Sequence, residues 1–137
     1  MWRSIAFIMI LFLSTGTVVS REIRAEAKLS IIEPKNGDSV PERPYVSGKV
    51  ADPNAKVWVI VHPMEVSDYW VQQKVNVKKD GNWKVCIYIG RPGNEDVGKG
   101  FEIKAVASPK SDLKQGDMLS DWPGAEMESE IVEVTRK

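Results

Sequence analysis

The chain has 137 residues, with 19 basic and 19 acidic side chains, one histidine and one cysteine. The balanced charge excludes a strongly basic field and, with it, nucleic acid as an expected partner. The single cysteine, Cys86, excludes an internal disulfide, and the length suits one ordinary domain and not two.

The first element is an export signal. Arg3 precedes the apolar run Ile5 to Leu13, and Ser14-Thr15-Gly16-Thr17 then breaks it, which gives the charged, apolar and polar parts such a signal needs. Small residues Val18 and Ser20 place the expected cut before Arg21, with Ala25-Glu26-Ala27 as a later alternative. The apolar run is shorter than the roughly 20 residues that span a bilayer, so cleavage is expected over anchoring. The expected organisation is therefore a signal peptide over 1–20, a short extension over 21–28 and one domain over 29–135. The protein is expected to be exported, periplasmic or extracellular, with no membrane insertion after cleavage.

After the signal, β-branched and aromatic runs alternate with Gly, Pro, Asn and Asp clusters, the pattern of an all-β sandwich or barrel. Seven strands are predicted, near Leu29 to Ile32, Tyr45 to Ala51, Lys56 to His62, Tyr69 to Val77, Trp83 to Ile89, Phe101 to Ala107 and Glu130 to Thr135. The turns between them include Pro34-Lys35-Asn36-Gly37, Asp52-Pro53-Asn54, Lys79-Asp80-Gly81-Asn82 and Gly90-Arg91-Pro92-Gly93-Asn94.

Alternation resolves the hairpin at Asp80-Gly81. A two-residue loop would set Val77 against Lys84, an apolar side chain opposite a charged one. A three-residue loop, Lys79 to Gly81, pairs Val77 with Trp83, Val75 with Val85 and Val71 with Ile89, and puts Gly81 where a left-handed residue is wanted. This register leaves Gln73 on the inner face, in need of a partner.

The strand Lys56 to His62 is apolar on both faces, so both are covered or one is used for binding. If it pairs with Tyr69 to Val77 through Pro63 to Asp68, with Ile60 opposite Trp70 and Trp58 opposite Gln72, then Trp58, Ile60, Trp70, Gln72 and Tyr88 share one outward face. If the connection crosses to another sheet, the patch dissolves. The long stretch Ser108 to Met127 is expected to cover part of this face with Trp122 and Met118. The candidate binding residues are Trp58, Ile60, Trp70, Gln72, Tyr88 and Trp122.

The pattern Glu33-Pro34-Lys35-Asn36-Gly37-Asp38, Val46-Ser47-Gly48-Lys49-Val50, Asp52-Pro53-Asn54-Ala55-Lys56-Val57 and Asp80-Gly81-Asn82-Trp83, with Ala105 in a late strand and Ser129 before the last, resembles the bacterial immunoglobulin-like modules of secreted and adhesin-type surface proteins. The resemblance implies an immunoglobulin-like β-sandwich. It spans nearly all of residues 29 to 135 and consists mostly of turn chemistry, so it bears on fold more than on function.

Catalysis finds little support. His62 is the only histidine, next to Pro63 at a strand end, where a solvated role is expected; no Gly-x-Ser-x-Gly elbow or metal-binding histidine pair occurs. Cys86 reads as a small strand residue, and Asn94-Glu95-Asp96 lacks the alternating acids of a calcium loop. No cofactor, metal or catalytic residue is expected. The expected function is a non-catalytic interaction module for a protein or envelope component. The alternative is a small carbohydrate-binding module, in which aromatic faces stack on sugar rings and amides fix orientation.

Overall fold

The computed structural model describes residues 27–137; the expected signal segment and cleavage sites lie outside the described residues. The described residues are all-β, with no helix. In chain order the strands are β1 (Leu29–Glu33), β2 (Ser39–Val40), β3 (Tyr45–Val50), β4 (Val57–Pro63), β5 (Tyr69–Val71), β6 (Asn76–Val77), β7 (Asn82–Cys86), β8 (Gly100–Pro109), β9 (Met118–Leu119), β10 (Ala125–Glu128) and β11 (Val132–Arg136). One sheet has the order β1-β3-β7-β6; the other runs β2-β11-β8-β4-β5-β9, with β10 also on β8.

The two sheets pack as a sandwich, because strand alternation turns one apolar row of each toward the other. Val46, Trp83, Val85 and Ile87 of the first sheet meet Val57, Val59, Val61, Ile103, Ala105 and Val134 of the second in one buried cluster. Gly48 lies opposite Trp83 across the β3–β7 ladder. A methyl group at Gly48 would collide with both the Trp83 indole and the Ser30 carbonyl. Glycine here is what lets the indole lie flat in the core.

The hairpin forms in the three-residue register. Val77 is opposite Trp83 and Asn76 opposite Lys84; Lys78 N donates to Asn82 O (2.9 Å), and Gly81 carries a φ of +90°. Val75 and Val85 both enter the inter-sheet cluster. The expected Val71–Ile89 pair does not form, because the predicted strand over Tyr69 to Val77 is two strands in two sheets. Its first part, β5, pairs with β4, and its last part, β6, pairs with β7. The crossing falls on Gln72-Gln73-Lys74, three consecutive polar residues. Gln73 consequently reaches solvent and Gln72 becomes the buried amide, reversing the expectation.

β4 is covered on both faces. Its outer row joins a second cluster of Trp58, Ile60, Val71, Val106 and Leu113, roofed by Tyr69, Leu119, Trp122 and Ala125. The segment after β8 thus covers this face, with Trp122 as expected, but Met118 stays 56 % exposed and pairs across to Trp70 instead.

Candidate functional site

The crossing from β5 to β6 opens the sandwich. Beyond Lys84 no described strand pairs with the β6 side of the first sheet, and a cleft of about 580 Å³ lies between the departing strand and the chain that continues from β7. Val61 and Phe101 form its floor, Trp70 to Gln73 one wall, and Tyr88 to Arg91 the other. Its size falls within the roughly 300–1,000 Å³ of small-ligand pockets.

Gln72 ties the walls together. Its backbone N donates to Val59 O (3.0 Å) in the second sheet, while its side-chain Oε1 accepts from Tyr88 N (2.8 Å) in the chain that continues from β7 of the first. The amide side chain stands where a neighbouring strand's carbonyl would be, which satisfies a backbone donor left open by the crossing. Tyr88, 51 % exposed, is held from behind by the Arg43 guanidinium, 3.8 Å from its ring centre. Arg43 is itself fixed by donation from Nε to Ile87 O (3.1 Å).

A charged frame stiffens the Tyr88 wall. Arg136 is almost fully buried and donates to three carbonyls of the passing loop, those of Ile89 and Arg91 (2.8 Å each) and Gly93 (2.7 Å). Asp96, also buried, accepts from the Arg91 backbone N (2.7 Å) and side-chain Nη2 (3.0 Å), with Lys99 Nζ at 3.2 Å. Hydrogen bonds from the Arg91 side chain, then from its backbone, hold the Asp96 carboxyl far below the usual carboxylate range. Their effect outweighs the opposing cost of burial.

The third side of the cleft is the turn after β4, and His62 clamps it. The expectation of a solvated histidine is not met: the side chain is mostly buried, with Nδ1 2.8 Å from Glu102 Oε1 and Nε2 2.7 Å from Val66 O. Its ring stacks on Tyr69 with centroids 4.0 Å apart, and Trp122 meets both edge-on. Burial, then the charges of Asp121 and Glu102, push the Tyr69 hydroxyl upward. Glu102, a backbone carbonyl and two aromatic rings surround His62, a constellation that orients a turn and presents no nucleophile to it. Cys86 is half-buried in β7, its Sγ 3.6 Å from Arg43 O. Among the described residues no group of three or more His, Cys, Asp or Glu side chains could hold a metal ion.

The six sequence-derived binding residues divide between two faces. β4 does pair with β5, but with Ile60 opposite Val71 and Val61 opposite Trp70, one residue away from the expected register. A one-residue shift exchanges faces. Trp58 and Ile60 are therefore buried in the outer cluster beneath half-buried Trp122, whereas Trp70, Gln72 and Tyr88 belong to the cleft on the opposite side. The cleft adds residues the sequence did not single out for binding, among them Glu65, Asp68, Gln73, Arg91 and Gln115. The one local sign of it was the polar triplet that ends β5.

No protein-family model, curated protein or solved structure matches this chain.

Proposed function

We propose that this chain is an exported, non-catalytic immunoglobulin-like module that binds a protein or another envelope component in the cleft beside Trp70 and Tyr88. The strand order supports the immunoglobulin-like part of this reading. The order β1-β3-β7-β6 facing β11-β8-β4 is the order that the ABED and GFC strands take in immunoglobulin sandwiches, and β5 occupies the added position beside β4. The parallel pairing of β2 with β11 fits the same plan. A tryptophan on β7, and not one on β4, fills the inter-sheet core, and no disulfide joins the sheets.

The observation that carries the binding role is the cleft itself: two half-exposed aromatic side chains, Trp70 and Tyr88, flank a concavity whose walls are braced by buried polar groups. Tryptophan, tyrosine and arginine are the residue types that concentrate binding energy when they line a pocket. The test is a photo-crosslinking amino acid placed at Tyr88 or, as a control, at the more exposed Tyr45 on the outer side of the first sheet. An adduct in the native envelope from Tyr88 but not from Tyr45 is expected. Equal labelling at both refutes the cleft as the site. Export is tested separately: the protein recovered from the envelope or medium should begin at Arg21, and an intact Met1 refutes cleavage.

A further inference from the structure

We propose that the cleft takes a neutral oligosaccharide, with the indole of Trp70 as the platform on which a sugar ring stacks; this rests on the reading of the cleft as the binding site. The half-exposed aromatics of the described residues are otherwise occupied. Tyr45 carries Lys84, Tyr88 carries Arg43, Tyr69 stacks on His62, and Trp122 meets Tyr69 and Lys104. Trp70, 38 % exposed, has no aromatic ring or cation of any described residue stacked on it, and it lines the cleft. An indole is a large flat apolar surface, and the axial C–H face of a sugar ring is complementary to it.

The polar lining selects within this class. Gln73 and Gln115 are exposed, and neither side-chain amide has a hydrogen-bond partner among the described residues. Each offers a donor and an acceptor, which matches hydroxyl groups that also do both. The two cations of the lining are already engaged: Arg91 with Asp96 and Glu95, Lys99 with Asp96 and Glu65. An anionic ligand would have to compete with these carboxylates and would meet Asp68 as well. A wholly apolar ligand would strip water from the amides without replacing its hydrogen bonds. Neutral and polyhydroxylated is the chemistry that satisfies both restrictions.

The test uses cellotetraose, tetra-N-acetylchitotetraose and maltotetraose, titrated into the purified protein while the indole N–H signals are followed in proton–nitrogen correlation spectra. A Trp70→Phe variant assigns the Trp70 signal. At least one neutral oligosaccharide is expected to move that signal saturably and leave the Trp83 signal in place. Trp70→Ala should bind the same sugar at least roughly tenfold more weakly, and tetragalacturonate should bind the unaltered protein roughly tenfold more weakly than the neutral ligand. The chain's fold is checked by circular dichroism, with Trp70→Phe as the milder variant should the alanine variant unfold. No movement with any of the three sugars at millimolar concentration overturns the proposal, as does binding that survives Trp70→Ala or is equally tight for tetragalacturonate. A Tyr88 adduct without sugar binding leaves the cleft as a site and removes the saccharide; loss of both removes both.

Discussion

Gly81 and Gly37 have nearly the same backbone conformation, with φ of +90° and +92°, but different surroundings. A methyl group on Gly37 would meet no atom within 4 Å; on Gly81 it would run into the carbonyl of Val50, a residue whose N–H donates to Gly81 O (2.9 Å). Alanine in the left-handed region costs roughly 1–2 kcal/mol, partly offset by the stiffer unfolded chain, so Gly37→Ala should destabilise by about 1 kcal/mol. Gly81→Ala adds an overpacking term of about 1–3 kcal/mol, because the opposing atom is backbone held in a ladder and cannot move aside. The expected total is about 3 kcal/mol. For a domain of this size 1 kcal/mol corresponds to roughly 4 °C, so calorimetry should show a loss of about 12 °C for Gly81→Ala against about 4 °C for Gly37→Ala. Asparagine tolerates the left-handed region, so Gly37→Asn should be nearly neutral and Gly81→Asn should keep most of its loss. Equal losses at the two glycines would refute the close approach of the hairpin to β3, and no loss at Gly81 would refute its register.

Trp58→Ala and Trp83→Ala should each cost about 3–5 kcal/mol, whereas Trp70→Ala should cost less than about half as much; denaturant midpoints of similar loss for all three would show that Trp70 is core. Gln72→Leu removes the acceptor of the Tyr88 amide, so that amide should exchange with solvent faster and stability should fall by about 1–3 kcal/mol; unchanged exchange at Tyr88 would show that Gln72 does not tie the walls. Asp96→Asn should destabilise at neutral pH. The folded-state carboxyl lies below its unfolded value of about 3.9, so its contribution is complete above that pH and is lost as pH falls toward the folded value. The gap between variant and parent should therefore close in acid, and a gap that is constant from pH 7 to pH 2 would refute the charge-based account.

The turns and the inner rows were legible because each rests on local chemistry. Asp80-Gly81 has a single register that keeps Val77 away from Lys84, and the structure has it. The double-faced apolar character of Val57 to Val61 marked a strand whose second face is either covered or used for binding; the structure covers both faces, and Trp122 was a visible candidate for the roof. The site was less legible. Gln72-Gln73-Lys74 reads as a lapse in strand alternation, and only the three-dimensional pairing of β5 with β4 and β6 with β7 turns it into a passage between sheets. The face carried by Trp70 likewise depends on a one-residue register set by the turn at Pro63–Val66, where Val66 N donates to Pro63 O (3.3 Å). Alternation specifies which residues share a face of one strand. It does not specify how two strands are phased against each other. Arg136 and Asp96 were invisible as a pair of braces because their partners are backbone carbonyls and a residue five positions away in a loop.

The cleft shares its floor, Val61 and Phe101, with the core, but its exposed aromatic walls are separate from it, which is why a binding role is compatible with this fold. Trp83 and Trp58 anchor the two apolar clusters, and the sandwich closes around them without Trp70 or Tyr88. The opening between the sheets would ordinarily leave unpaired backbone along the first sheet, a position prone to strand addition by another chain. Here Gln72 Oε1 occupies the Tyr88 amide, the donor that faces the open side; the Ile87 and Ile89 carbonyls lie on the β3 side, where the same residues' amides donate to Pro44 O and Glu42 O, and are taken by Arg43 and Arg136. One side-chain amide stands in for the missing strand. The result is a gap bridged at one point by Gln72 and lined by an indole and the amides of Gln73 and Gln115. A strand added along the first sheet would have to displace that amide from the Tyr88 N–H, whereas a small ligand stacked in the cleft would not.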